Sequence, residues 1–243
     1  MNIKISVEYI GTNYSGWQKQ ENASTIQEKI ENSIFLITGK PTEVFGSGRT
    51  DAGVHALGQV ANFEMTSSIP AERVKYALNQ HLPKDIRVLS SEEVPEEFHS
   101  RFSARHKTYL YKVQTGDVKR CFEDGRAYFV KGSLDIGKMQ AAAKEFLGEH
   151  DFSAFKSEGS SAKNFVREIY KLDINQVGDI IEIEICGNGF LYNMVRIIAG
   201  TLIEIGKGKT FNISEILISK DRGKAGPTAP AQGLFLKEVA YDN

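Results

Sequence analysis

The chain has 243 residues, 41% of them hydrophobic and 25% charged, a balance that buries a large core as one α/β unit or two packed halves and excludes extended disorder. Thirty basic against 31 acidic side chains leave a formal net charge of −1. Bulk charge therefore does not announce a nucleic-acid partner, and any such partner must be met by basic groups gathered on one surface.

Residues 2–9 alternate, with Ile3, Ile5, Val7 and Tyr9 on one face and Lys4, Ser6 and Glu8 on the other. That pattern predicts a half-buried strand, not the apolar stretch of a signal peptide. A polar loop with Gly11, Gly16 and the single tryptophan, Trp17, follows. Ser24-Thr25 opens a helix, with Gln27 and Glu28 placed for a capping box, and Gly39 and Pro41 stop it after about Ile37. Residues 42–46 and 58–65 read as strands flanking a loop rich in glycine and charge. Pro70 starts a helix to about His81, and a strand near 85–94 completes a first half, residues 1–104.

The second half, residues 105–243, repeats this order loosely. Thr108–Val113 is a strand with Tyr109, Tyr111 and Val113 on one face, and 134–147 is an alanine-rich helix. Residues 166–174 and 179–185 form a hairpin joined near Gly178; Ile181, Ile183 and Ile185 alternate with Glu182 and Glu184, so one face is solvated. The most apolar run, 190–205, is a helix that holds Asn193, Arg196 and Glu204 and falls short of the roughly 20 residues of a membrane span. A strand near 234–241 ends the chain. Two distant cysteines, Cys121 and Cys186, suit neither a disulfide framework nor a zinc site. The expected fold class is α+β with a largely antiparallel sheet, and the expected compartment is the cytoplasm, with no membrane.

The densest chemistry lies at Gly46-Ser47-Gly48-Arg49-Thr50-Asp51-Ala52-Gly53-Val54-His55-Ala56. Glycines at this density let backbone bend sharply and approach a ligand. In isolation the loop reads equally as an Asp-stabilised turn with Arg49 solvated and His55 packed. A phosphate cradle fits less well, because a strand and not a helix follows. A metal pair from Asp51 and His55 lacks further ligands.

A helical wheel puts Leu191, Met194, Val195, Ile198, Leu202 and Ile205 on a core face. Gly189, Asn193, Arg196 and Gly200 form a narrow stripe opposite, flanked by Tyr192, Ile197 and Ile203. A guanidinium among small and apolar neighbours needs an anionic partner, because an unpaired buried charge costs several kcal/mol. RNA phosphate, a structural carboxylate and Asp51 all qualify, with Asp51 preferred. A basic approach of His99, Arg101, Arg105, His106 and Lys107 precedes Tyr109 and Tyr111. Rings beside cations suit a splayed-out base, whose stacking contributes roughly 1–3 kcal/mol; the plainer reading is a pair of tyrosines covering a sheet.

Gly48-Arg49-Thr50-Asp51-Ala52-Gly53-Val54-His55-Ala56, with Gln59-Val60 and Phe63, resembles the signature of the bacterial tRNA pseudouridine synthase A family. Gly11-Thr12, Tyr14, Gly16-Trp17-Gln18 and Gln20 resemble its opening motif. Leu82-Pro83, Asp85-Ile86, Phe98-His99, Arg101, Ser103-Ala104 and Lys107-Thr108-Tyr109 resemble its middle. Phe190 through Arg196 and Pro230-Ala231 with Gly233-Leu234 resemble its end, so the likeness runs through most of the chain. One departure is Ile10, where the family often has Asp.

The resemblance implies a homodimer with no cofactor and no metal that acts on uridines 38, 39 and 40 of the tRNA anticodon stem-loop. It implies Asp51 as the nucleophilic aspartate, Tyr109 in contact with the target base, and Arg49 and Arg196 near the active site. The implied architecture is two related α/β halves around a central, mostly antiparallel sheet with the active-site cleft between them. A non-catalytic RNA-binding module and a glycosidic-bond hydrolase are the alternatives. The first leaves Asp51 unexplained, and the second commonly needs two carboxylates where only one is evident.

Overall fold

The computed structural model describes residues 1–159 and 162–242. The chain divides into two compact units, Met1–Arg105 with Phe235–Asn243, and His106–Leu234.

The first unit starts with strand β1 (Asn2–Tyr9), whose alternating residues Ile3, Ile5 and Val7 are fully buried. Helix α1 (Ile26–Thr38) begins where Thr25 Oγ1 accepts the Glu28 amide at 3.4 Å, and ends where Gly39 turns left-handed at φ 69°. Gln27 takes no part in that cap; its Oε1 accepts the Lys19 amide at 2.9 Å and so ties the opening loop to the helix. Ile26, Ile30 and Ile34 form the face that α1 buries. Strands β2 (Phe45–Gly46) and β3 (His55–Glu64) flank the glycine-rich loop. A 3-10 turn at Ala71–Arg73 leads into α2 (Val74–His81), and β4 (Ile86–Val94) follows. β1 lies between β3 and β4, antiparallel to both.

The second unit is built on β5 (Ala104–Gly116), which crosses the boundary between the units. The short strand β6 (Tyr128–Lys131) runs parallel to it. The alanine-rich helix is shorter than its composition predicts: α3 spans Ile136–Ala143, tightens into a 3-10 turn at Lys144–Phe146, and gives way to β7 (Gly148–Asp151). The helical path ends at Leu147, whose backbone is extended, and Gly148, at φ 90°, opens β7. The hairpin of β8 (Val166–Val177) and β9 (Ile180–Gly187) turns at Gly178 as its sequence predicts, and β5, β9, β8 and β7 pair in that order, all antiparallel. Ile181, Ile183 and Ile185 are fully buried, while Glu182 and Glu184 reach Lys112 and Lys171 on the other face.

Helix α4 (Met194–Gly206) begins four residues later than the apolar run, because Asn193 sits at φ 61° and cannot continue a right-handed helix. A further helix, α5 (Ile213–Ser219), is capped by Asn212, whose side chain accepts the Glu215 amide. The final strand, β10 (Leu234–Tyr241), returns to the first unit and pairs in parallel with the start of β3, Phe235 opposite His55. Each unit is thus α/β on a mostly antiparallel sheet.

Candidate active site

The loop from Ser47 to Val54 joins β2 to β3 and carries Asp51, which is half-buried. Its first corner is fixed inside the core. Ser47 donates to Gln59 Oε1 at 2.6 Å, Gln59 Nε2 donates to the Gly48 carbonyl at 2.9 Å, and both side chains are fully buried. Its second corner is a turn in which the Val54 amide donates to the Asp51 carbonyl at 3.1 Å, with Gly53 at φ 77°.

The opening loop clamps this turn from outside. A Cβ on Gly11 would lie 1.9 Å from the Val54 carbonyl oxygen, and one on Gly16 would lie 2.4 Å from that of Thr50 and 3.1 Å from the Asp51 carbonyl carbon. The two backbones touch because no side chain stands between them. The Trp17 amide donates to the Thr50 carbonyl at 3.0 Å and the Gly53 amide to Tyr14 at 3.3 Å. Tyr9 OH and Thr50 Oγ1 share a hydrogen bond of 2.8 Å, and burial holds the Tyr9 phenol above its ordinary pKa, so it stays neutral. The Trp17 ring fills the space over Gly46. Asp51 therefore projects from backbone held by the sheet on one side and by residues 11–17 on the other.

Arg49, two residues away, is exposed, and its Nε donates to Gln18 Oε1 at 3.3 Å. Gln18 in turn donates to Gln27 at 2.9 Å in the first turn of α1. His55 is 1% exposed, accepts the Gly11 amide on Nδ1 at 3.0 Å and stacks on Phe235 at 4.7 Å. An Nδ1 acceptor puts the ring hydrogen of the neutral form on Nε2. His55 is a scaffold residue, as the packed reading of the loop requires. At Ile10 the amide donates to the Asp85 carbonyl at 2.9 Å, and the residue is 43% exposed.

In the second unit, Tyr109 lies opposite Ile185 on β5, half-buried, with its ring edge-to-face against Phe190 at 5.1 Å and 84°. Tyr111, two residues on, is structural: fully buried, it donates to the Pro230 carbonyl at 2.8 Å and packs beneath Gly233.

The small-residue stripe on α4 is covered by residues 226–229. A Cβ on Gly200 would lie 1.9 Å from the Pro227 carbonyl oxygen, and the Gly226 amide donates to Thr201 Oγ1 at 2.9 Å. Backbone, not solvent, occupies that side, and α4 is buried on nearly all faces as a result. Arg196 is held by this strap. Its Nε donates to the Ala229 carbonyl and its Nη1 to Asn193 Oδ1, both at 2.8 Å, while the Ala229 amide returns a bond to the Arg196 carbonyl at 3.0 Å. Asn193 Nδ2 also donates to Ser157 Oγ at 2.9 Å. The sequence signal for this orienting role is an Asn, a residue that tolerates the left-handed region, directly before the helix.

Asp51 and Arg49 thus belong to the first unit, Tyr109 and Arg196 to the second. Among the described residues, no three His, Cys, Asp or Glu side chains gather as a metal site would, Cys121 and Cys186 are free thiols, and no helix is long and apolar enough to cross a membrane.

A family model described as tRNA pseudouridine synthase matches residues 5–103 and 142–242. A protein of Clostridium tetani called tRNA pseudouridine synthase A 2 is 53% identical over 245 residues, covering 99% of each chain. Proteins called tRNA pseudouridine synthase A from Acetivibrio thermocellus and Ruminiclostridium cellulolyticum are 51% and 49% identical, covering 99% and 98% of this chain and 99% of their own. Among solved structures, the archaeal box H/ACA sRNP Nop10-Cbf5 complex gives a TM-score of 0.39 at 11% identity, over 83% of this chain and 42% of the other, too distant a likeness to bear on the site.

Proposed function

Because the chain belongs to the tRNA pseudouridine synthase family, we propose that it isomerises uridines 38, 39 and 40 of the tRNA anticodon stem-loop, with Asp51 as nucleophile and no cofactor. Pseudouridine formation in tRNA, an isomerase reaction, is the family's activity. The choice of nucleotides and of nucleophile is the finer reading: the nucleotides follow from the family resemblance, and one observation supports the nucleophile. Asp51 is the sole carboxylate of a loop whose backbone is locked on both sides, the arrangement a covalent catalyst needs.

The reaction breaks the N1–C1′ bond, turns the uracil, and joins C5 to C1′; C5 loses a proton and N1 gains one, so no oxidant or reductant enters. The target base first leaves its stack, at a cost of a few kcal/mol. Asp51 then acts as the carboxylate, a form that a nearby guanidinium favours: it displaces N1 from C1′ and is itself displaced by C5, or adds to C6 and later leaves, or removes a sugar proton to give a glycal. That electrostatic role is assigned to Arg196, whose fork is already oriented by Asn193 and Ala229. Exposed Arg49 takes the RNA phosphate. Tyr109, braced edge-on by Phe190, stacks on the detached uracil and keeps it during the turn. The working form is assigned as a homodimer in the cytoplasm.

The test uses tRNA transcripts labelled with tritium at uridine C5. Asp51→Asn should release no tritium and still bind tRNA, and pseudouridine mapping with the wild type should find positions 38, 39 and 40. Retained turnover in Asp51→Asn rejects the nucleophile. Binding without pseudouridine in the wild type would reduce the protein to an RNA-binding module.

A further inference from the structure

Beside the Asp loop, the first unit displays an aromatic and cationic group that the reaction above does not use. Phe102 is 75% exposed. An exposed phenylalanine alone is ordinary, but the segment that carries this one is fixed from below by polar groups. The Ser100 amide donates to Asn62 Oδ1 at 2.8 Å, and the Ser100 carbonyl accepts from Tyr241 OH at 2.7 Å. Asn2 Nδ2 donates to the Phe98 carbonyl at 2.9 Å, and Asn62 donates to Asn2 at 3.0 Å. Ser100 Oγ donates to the Phe45 carbonyl, which ties the segment to β2. These bonds hold the backbone so that the ring stays outside.

On that base three rings form a row. Phe45 and His99 stand 5.2 Å apart at 42°, and His99 and Phe102 stand 4.4 Å apart at 40°. The exposed Arg101 guanidinium lies 5.5 Å from the Phe102 centroid, and the Arg101 amide donates to His99 Nδ1 at 3.1 Å. Glu96 and Glu97 are exposed at the other end of the segment, which leaves the Arg101 end as the one that tolerates a phosphate. Phe45 precedes Asp51 by six residues, so the row begins within about 20 Å of the nucleophile on the same unit.

We propose that Phe102, backed by His99 and Phe45, is a stacking site for an unpaired base of the tRNA, with the adjoining phosphate on Arg101. A ring face receives any base, and a guanidinium beside it neutralises the backbone, the combination that single-stranded RNA sites use. Extruding the target uridine strips its neighbours of stacking, and a fixed ring on the protein replaces what they lose. The inference rests on tRNA being the substrate, and deepens that reading by naming where a second nucleotide is held.

The experiment compares the full-length wild type with Phe102→Ala and Phe102→Trp, using an unmodified tRNA transcript, by filter binding and single-turnover tritium release. Phe102→Ala should weaken tRNA binding about 5- to 100-fold and leave the rate at saturating enzyme within about twofold, the pattern of lost binding and intact chemistry. Phe102→Trp should restore affinity. Wild-type affinity in Phe102→Ala overturns the proposal, as does a change of oligomeric size without a change of affinity, which would make the row a protein contact. A wild type that binds tRNA through Phe102 and forms no pseudouridine would sink the catalytic reading alone.

Discussion

Replacing Gly16 by alanine probes whether the opening loop sets the position of Asp51. The new Cβ would meet the Thr50 carbonyl oxygen at 2.4 Å and the Asp51 carbonyl carbon at 3.1 Å, where ordinary contact begins at 3.4 Å. Both are backbone atoms, and the Thr50 carbonyl also accepts the Trp17 amide, so relief must move the Thr50–Asp51 peptide itself. Gly16 also sits at φ 90°, where an L-residue loses about 1–2 kcal/mol. Overpacking adds about 1–3 kcal/mol, for a total of about 2–5 kcal/mol. A shift near 1 Å at a catalytic group slows turnover on the order of 10²-fold. Gly39→Ala is the control, since Gly39 is left-handed at φ 69° with nothing within 4 Å of the added carbon. It should lose only the backbone share of stability and no activity. Urea unfolding and single-turnover tritium release read the two quantities. If Gly16→Ala proves no less stable than Gly39→Ala and turns over at the wild-type rate, the loop contact does not position Asp51.

Arg196→Lys keeps the charge and loses the planar fork that reaches Asn193 and Ala229 together; turnover should fall roughly 10- to 100-fold, as expected for a lost charged hydrogen bond, and an unchanged single-turnover rate would refute the orienting role. Tyr109→Phe leaves the ring contact with Phe190 in place, so tRNA affinity should hold while turnover drops about 10²-fold if the hydroxyl takes the C5 proton; full turnover would confine Tyr109 to stacking.

Where a pattern is local, sequence sufficed. The alternation of residues 2–9, the Thr25 cap and the turn at Gly178 each depend on a few neighbouring residues, and each appears where expected. Asn212 and Glu215 hold the same kind of cap signal for α5, obscured because only seven residues follow it. What the sequence hides are pairings across long separations. Nothing local to residues 234–241 says that this strand returns to lie parallel to β3. The wheel through 190–205 finds the Arg196 stripe and its need for a partner but not what covers it, because residues 226–229 fall outside the window. The motif locates Asp51, and the fold adds that Gly11 and Gly16 press directly on its turn.

The same device recurs at the two charged residues to which the proposed reaction gives its central roles. At Asp51 a carbonyl belongs in the space where Gly16 would carry a side chain, and at Arg196 the Pro227 carbonyl fills the equivalent space over Gly200. In both cases a second segment braces the backbone near the charged residue, and at Arg196 two side-chain bonds, to Ala229 and Asn193, add to that brace; the exposed Arg49 side chain reaches Gln18 at 3.3 Å. On the proposed mechanism, an attacking carboxylate and an oriented guanidinium both benefit from rigidity supplied from behind. On that mechanism, the glycines around Asp51 and Arg196 bear on catalysis through contact geometry.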